Sequence, residues 1–572
     1  MTGGYIMNTK IYTIAASALA LASCSFLDVE PTVMTGGYAT EGELLNGLAG
    51  VYGVINNEPF YGNYYSLMLS NTDDLCYYNR NTATNYSVWY QHDPSSQEVY
   101  EAWTEIYQGI GNANTFMESV AGSEFDPDHK YYNEARFLRA YYHFILAQAW
   151  GDVPLRTSAS TSPSDVECAA TPQLQVLQWA ASEMEACLPL AEEDLSISPS
   201  RVVKTTMQGI LARVYLFMAG ESVSGNEAYR HEYYGKALDY AWDVIESGKH
   251  SLNLGDAEHD GYSLMFINMI SDKYDTQYHE SMWEADFLGN RSSSSNWSNG
   301  RIGNLIGLQC QPSGNYDKVQ CNFSYGQYNG SLKLWNLYWK DDRTDSETEL
   351  ADDDDPHWDR RQAWNMCPYN YAGRNSAPVY EVGTKTPYVQ SSQTTFDVPT
   401  TAKAIRNCGK YRRETIYEGV KGDAGPYTPL NYPILRYADV LLMYAEAYNE
   451  YHGGPVEDVY KYVAEIRDRA GISTRPFSEY STQEAFRQLV RNERGRELCF
   501  ESLRKYDLIR WGIFETAMKD YLTDTANSAE WIGTTATVAA NTANSVQHRH
   551  IVLPIPTIEL GVNTKLKQNP LW

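Results

Sequence analysis

Positive charge is scarce in this chain: 45 lysines and arginines stand against 72 aspartates and glutamates over 572 residues, a formal charge of -27. No basic stripe offsets the excess, so phosphate backbones and anionic lipid headgroups would be repelled, and no nucleic-acid partner is expected. Long hydrophobic runs are missing too. After the first two dozen residues no stretch reaches the ~20 apolar residues that a spanning helix needs. The nine cysteines (24, 76, 168, 187, 310, 321, 367, 408 and 499) contain no CxxC pair and no zinc-like spacing, which argues against a metal or redox framework. With Cys24 set apart the other eight could pair, Cys310 with Cys321 being the closest couple in the loop-rich middle, or they could be isolated buried thiols.

Catalytic motifs are equally sparse. HExxH, GxSxG and GxxxxGK[ST] are absent, and the one SxxK match, "SLRK" at 502–505, has no S-D-N or K-T-G companion. The "GIGNAN" piece at Gly109 lacks the third glycine and the preceding strand of a dinucleotide fingerprint. The Asp352 to Asp355 run lacks the glycine and terminal Glu of an EF-hand loop, so it reads as a solvated acidic turn and no metal is expected. No cofactor is expected either.

What the chain has in abundance is aromatic side chains, 46 Tyr and 14 Trp, whose ring faces and polar tips serve cores and wet binding surfaces alike. It also has a distinctive start. Lys10 precedes an apolar run from Ile11 to Ala22, too short for a bilayer but suited to a signal-peptide h-region. The run leads into Leu21-Ala22-Ser23-Cys24, which resembles a bacterial lipobox; on that resemblance residues 1–23 are removed and Cys24 is lipidated, with 24–40 as a tether. The lipid would then be the only membrane attachment.

Helical periodicity appears in two groups of windows. One group covers 97–120, the "EARFLRAYYHFILAQAW" stretch, 172–190, "TTMQGILARVYLFMAG" and 228–247; the other covers 433–451, 456–470 and 483–510. Small residues at contact positions suggest TPR-like helical hairpins of irregular spacing. Between about 251 and 430 Gly, Ser, Asn and Asp become dense, while many aromatics there argue for a folded, loop-rich region over disorder. Trp335 and Trp339, four apart, fit one helix with a buried face.

The last 145 residues carry three blocks: "YPILRYADVLLMYAEAYNE"; "IRDRAGI" with "LVRNERGRELCFESLRKYDLIRWG"; and "IVLPIPTIELGVNTKLKQNPLW". With the lipobox, "SFLDVEPT", "WTEIYQGIGNAN" and "EARFLRAYYHF", they make the chain resemble the SusD/RagB family of Bacteroidetes outer-membrane lipoproteins. The resemblance implies a mainly α, SusD-like fold: a TPR-like helical scaffold plus a large loop-rich region with short strands. Its parts would be a helical region at 41–250, a variable region at 251–430 and a C-terminal helical region at 431–572, with 41–572 one compact unit. It also implies a non-catalytic protein at the cell surface that binds oligosaccharide or polysaccharide and delivers it to a SusC-like TonB-dependent transporter. Some relatives are linked to peptides or glycoproteins, so a peptide receptor on the same scaffold stays open.

Physically the signature blocks are scaffold. Ala438, Leu441, Leu442, Ala445 and Tyr448 form one apolar stripe, Arg436 and Asp439 are spaced to pair on a helix surface, and the Arg and Glu residues of "RNERGRELCFESLRK" read as a structural ion-pair network. Ligand contacts are expected where rings and polar heads mix on loops, because sugars stack C–H faces on rings and hydrogen-bond through hydroxyls. Two stretches qualify. In 70–90 the candidates are Asp73, Tyr77, Tyr78, Asn79, Arg80, Asn85, Tyr86 and Trp89, and in "RSSSSNWSNG" the candidate is Trp297.

Overall fold

The computed structural model describes residues 37–77, 87–289, 299–310, 321–340, 359–367, 407–414, 417, 427–472, 475–527, 541 and 543–572. Cys24, Tyr78, Asn79, Arg80, Asn85, Tyr86 and Trp297 lie outside these residues, as does the Asp352 to Asp355 run.

Helices dominate. Helix α1 (Glu41–Tyr52) begins where the Thr40 side chain accepts from the Glu43 N–H, satisfying one of the donors that a helix start leaves open. Helices α2 (Gln97–Val120), α3 (Lys130–Trp150), α4 (Gln173–Cys187), α5 (Lys204–Met218) and α6 (Glu227–Glu246) follow, and successive members pack side by side. Gly109 of "GIGNAN" has a packing role: a Cβ there would lie 2.7 Å from Val54 and 2.8 Å from Tyr142, so its absence lets α2 approach α3. In the C-terminal part α10 (Tyr437–His452) packs on α6 and on α11 (Glu457–Arg469) and α12 (Gln483–Glu497). The stripe expected on α10 is buried at Ala438, Leu441, Leu442 and Ala445. One apolar cluster runs from Leu44 to Leu566 and takes side chains from both helical groups.

The middle region is less helical, yet it holds α7 (Gly261–Ile270), α8 (Leu332–Lys340) and α9 (Arg360–Asn365). Helix α7 carries no 3.6-residue pattern because nearly every side chain in "GYSLMFINMI" is buried; Asp260 caps its start through the Tyr262 and Ser263 N–H groups. Trp335 is buried on α8 as its spacing predicts. Strands are short and antiparallel: β1 (Leu75–Tyr77) with β5 (Tyr328–Gly330), β2 (Val153–Pro154) with β3 (Ala170–Thr171), and β4 (Ser281–Ala285) with β6 (Tyr432–Arg436).

Two helical windows are corrected. The one at 433–451 starts as strand β6, and Arg436 is extended (φ -124°, ψ 153°), so Arg436 does not pair with Asp439. Arg436 instead reaches Glu280, Glu497 and Glu501, while Asp439 takes Arg213 and Arg494. The window at 483–510 breaks after Glu497. Phe500 and Ser502 have positive φ (65° and 61°), which a continuous right-handed helix does not allow, and α13 (Arg504–Arg510) starts afresh before α14 (Phe514–Asn527). The break turns Glu501 toward Lys410 and Arg436, and Arg504 toward Asp73.

Candidate functional site

Most Arg and Glu residues of the second signature block are interior, while Arg491 and Arg504 are half-buried. Glu497 accepts from Arg361 (3.0 Å), Arg436 (3.0 Å) and Arg469, and Glu493 accepts from Arg361 (2.5 Å), Arg467 (3.3 Å) and Arg496 (3.2 Å). Both carboxylates are fully buried. Burial alone would raise the pKa of Glu493, but the charges of Arg361, Arg496 and Arg467 outweigh it and hold the value at about 2. A carboxylate that is sealed from solvent and locked as an anion joins elements together; it does not meet substrate.

The candidate loop at 70–90 divides in two. Its ends are built into the body: Asp73 is 2% exposed and takes both Nε (3.0 Å) and Nη2 (3.1 Å) of Arg504, and Trp89 is 5% exposed within the main core. The expectation that these two side chains touch ligand is therefore corrected. Asp73 is committed to a guanidinium, and Trp89 has its ring faces covered. Asp74 beside it accepts from the Phe500 N–H (3.1 Å) and the Thr72 hydroxyl (2.8 Å). Tyr77 ends β1, where its backbone faces Tyr328 of β5. The two ends of the stretch are tied together at a neck by the Asn71 amide donating to the Val88 carbonyl (2.8 Å) and by the Tyr90 hydroxyl donating to the Asn71 carbonyl.

The second candidate stretch is rooted just as firmly. Gly289 (φ 68°) sits where a Cβ would lie 2.5 Å from Pro429 N, so glycine is required on both conformational and steric grounds. On the return side the buried Asn299 accepts from the Glu58 N–H (2.8 Å), the Arg301 N–H donates to the Gly62 carbonyl (2.9 Å), and Arg301 pairs with Glu58 (3.2 Å).

Both necks meet one shelf. Residues Glu58–Gly62 and Tyr64–Leu69 form two wide π-helical turns broken at Asn63, a distortion of the kind that recurs at functional sites. Glu58 touches the neck of the second stretch, whereas Glu98, at the start of α2, accepts from the Ser87 hydroxyl (3.1 Å) at the neck of the first. Between them stands the half-buried Tyr64, whose hydroxyl is pushed up by burial and then by Glu58, Glu101 and Glu98. A ring ringed by carboxylates, next to Arg301, offers a stacking face with acceptors and a donor around it. Sequence reasoning passed over this shelf; the only local signal was "NNEPFYGNYY", dense in turn formers and aromatics but without a period.

Set against known proteins, residues 279–572 match the sequence profile of the SusD family, and residues 25–216 match a profile described as starch-binding associating with outer membrane. The chain belongs to the SusD family. SusD-like protein P25 of Formosa agariphila is 23% identical over 98% of both chains. A SusD homologue from Bacteroides thetaiotaomicron superposes with a TM-score of 0.78 at 24% identity, covering 94% of this chain and 98% of that one. Surface glycan-binding protein A from Bacteroides uniformis superposes at 0.64 and 18% identity, covering 93% and 100%. The mainly helical SusD-like fold expected from the signature blocks is thus present.

Proposed function

We propose that this SusD-family protein is a cell-surface lipoprotein, anchored through Cys24, that captures oligosaccharide or polysaccharide and passes it to a SusC-like TonB-dependent transporter without chemistry of its own. The observation that carries the reading is the convergence of both candidate loop necks on the shelf around Tyr64. The described residues that flank two stretches far apart in sequence, each mixing rings with amide and guanidinium heads, are tied beside the same half-buried ring. The shared fold with a protein named for glycan binding, and a family description that names starch and the outer membrane, support the ligand class and the location.

In this reading Tyr64 joins Tyr77, Tyr78, Asn79, Arg80, Asn85 and Trp297 as the ligand-contacting set, while Asp73 and Trp89 hold the platform from beneath. Ring stacking would supply much of the affinity and the polar heads its orientation. The test is calorimetry of the soluble protein, lacking its first two dozen residues, against a panel of plant, host and fungal glycans. A neutral glycan should bind saturably, and Tyr64→Ala and Trp297→Ala should each weaken it by about tenfold, a loss of ~1.4 kcal/mol, with the circular dichroism unchanged. Absence of binding across the panel would overturn glycan capture. Binding that survives both substitutions would overturn the placement of the platform, and binding of peptides in place of glycans would favour a peptide receptor.

A further inference from the structure

A second concavity lies away from the Tyr64 shelf, where α6, α10 and α12 meet the end of α13. It encloses about 280 Å³ and is lined mostly by charged side chains, four of them arginines. Two of these arginines are already neutralised. Arg510 pairs with Glu446 (2.8 Å through Nη2) and with Asp507 (2.8 Å); Arg487 pairs with Glu450 through Nε and Nη2 (2.7 Å each) and with Glu484. These pairings use up Glu446, Glu450 and Glu484.

The other two, Arg230 and Arg491, have no carboxylate partner among the described residues. Arg230 donates Nε to the Ala219 carbonyl (3.0 Å), which leaves the outer edge of its guanidinium available. Arg491 lies over the ring of Trp511 at 5.0 Å, and that indole is fixed in turn by its N–H to Glu446 (2.7 Å). The Arg491 Nε is buried without a hydrogen-bond partner, which is costly for a charged group unless something completes the shell. Burial lowers the pKa of Arg491, and the like charges of Arg487 and Arg510 add to that against the pull of Glu446 and Glu450. The one uncommitted carboxylate of the lining, Glu221, is solvent-exposed and makes no ion pair with either arginine.

We propose that this cleft is an oxyanion site in which Arg491, placed over the Trp511 ring, and Arg230 grip one carboxylate or sulfate group. Guanidinium forks match planar and tetrahedral oxyanions through paired N–H groups, and the space admits a ligand well beyond a lone water. The group can belong to a free small anion or to an acidic residue of a sugar chain. The protein's charge of -27 repels either at long range, so binding depends on the local fork.

Calorimetry with sodium sulfate and with sodium glucuronate, run on the soluble protein at low chloride, where no competing anion occupies the fork, tests the idea. Saturable binding of both ligands identifies a general oxyanion site, and binding of glucuronate alone identifies a sugar-acid site; either supports the proposal. Arg491→Gln and Arg230→Gln should each reduce the affinity by about tenfold or more, Arg491→Lys should restore part of it, and binding of a neutral glycan should be unchanged in all three. The proposal fails if the wild-type protein binds neither anion saturably, or if Arg491→Gln, with an unchanged thermal melt, binds as well as wild type.

Discussion

Glu284 carries a charge that the fold works against, and replacing it with glutamine should stabilise the protein in a pH-dependent way. The residue sits on β4 opposite Pro433 of β6 and is 4% exposed. The Asn431 amide donates to its carboxylate at 2.9 Å, and Asn431 and Ser281 together offset only part of the effect of burial. Burial pushes its pKa up to about 7, with Asp286 and Asp272 adding like charge. In the unfolded chain a glutamate titrates near ~4.3. Between those two values the folded state binds more protons than the unfolded state, so stability falls as pH rises, and above about 7 the full cost is in place. A gap of roughly two and a half pH units at ~1.4 kcal/mol per unit sets that cost at about 3 kcal/mol. Glu284→Gln keeps an oxygen for Asn431, removes the charge that Asp272 and Asp286 repel, and does not titrate. Urea unfolding of wild type and mutant at pH values of about 4.5, 6 and 8 should show little difference at the first and a mutant advantage approaching 3 kcal/mol at the last. A difference that is flat with pH, or a mutant less stable at the alkaline end, would show that Glu284 is not protonated by its burial and would refute the argument.

The remaining expectations concern the core and the two histidines under the C-terminus. Glu497→Gln leaves Arg361, Arg436 and Arg469 short of a shared anion in a dry interior, so urea unfolding should reveal a loss of about 3–5 kcal/mol, whereas Arg475→Ala, at an exposed pair, should cost no more than about 0.5 kcal/mol. Trp89→Ala should cost about 3–5 kcal/mol of stability, and a purely ligand-facing Trp89 would instead leave the melt unchanged. His92 and His550 pack against each other and against Trp572. Burial and then the Lys505 charge lower both histidines, His550 to about 3. Their stabilising contribution is complete above the unfolded value near ~6.5 and is lost as pH falls toward the folded one. His550→Asn, which keeps an acceptor for the Gln547 N–H, should flatten the acid limb of the stability profile by about one proton, and an unchanged limb would assign that acid sensitivity elsewhere.

Legibility in the sequence followed how local each cause is. The windows at 97–120, 228–247 and 456–470 coincide with α2, α6 and α11 within a residue or so, because a local apolar face decides each of them, with an Asn226 side-chain cap added at the start of α6. The windows at 433–451 and 483–510 failed at one end because long-range partners decide there. Arg436 is drawn into a strand that pairs with β4, and Glu501 and Arg504 can reach Lys410 and Asp73 only if the helix breaks between them. Helix α7 was hidden by being apolar on every side. At the candidate site the composition of 70–90 picked out a ring-rich stretch but could not tell that Asp73 and Trp89 at its ends are buried. A Trp and an Asp in a ring-rich loop look alike on paper whether they face solvent or Arg504. Tyr64 was passed over because its environment is assembled from Glu58, Glu98 and Arg301, which only the fold brings together.

The interior of this protein is strongly charged yet close to balanced. Buried carboxylates such as Glu280, Asp439, Glu446, Glu493, Glu497 and Glu501 face buried cations such as Arg361, Lys410, Arg436, Arg469, Arg494 and Arg510, so the core neutralises itself pair by pair. It follows that, among the described residues, most of the excess negative charge lies at the surface, and that many basic residues have been withdrawn from it. For a neutral glycan this field is indifferent, and stacking and hydrogen bonds decide. For an acidic ligand it is a barrier that a local guanidinium fork has to offset, the role proposed for Arg491 and Arg230. A surface of this kind sorts ligands by charge before it sorts them by shape, and it does so because the fold has placed its arginines inside.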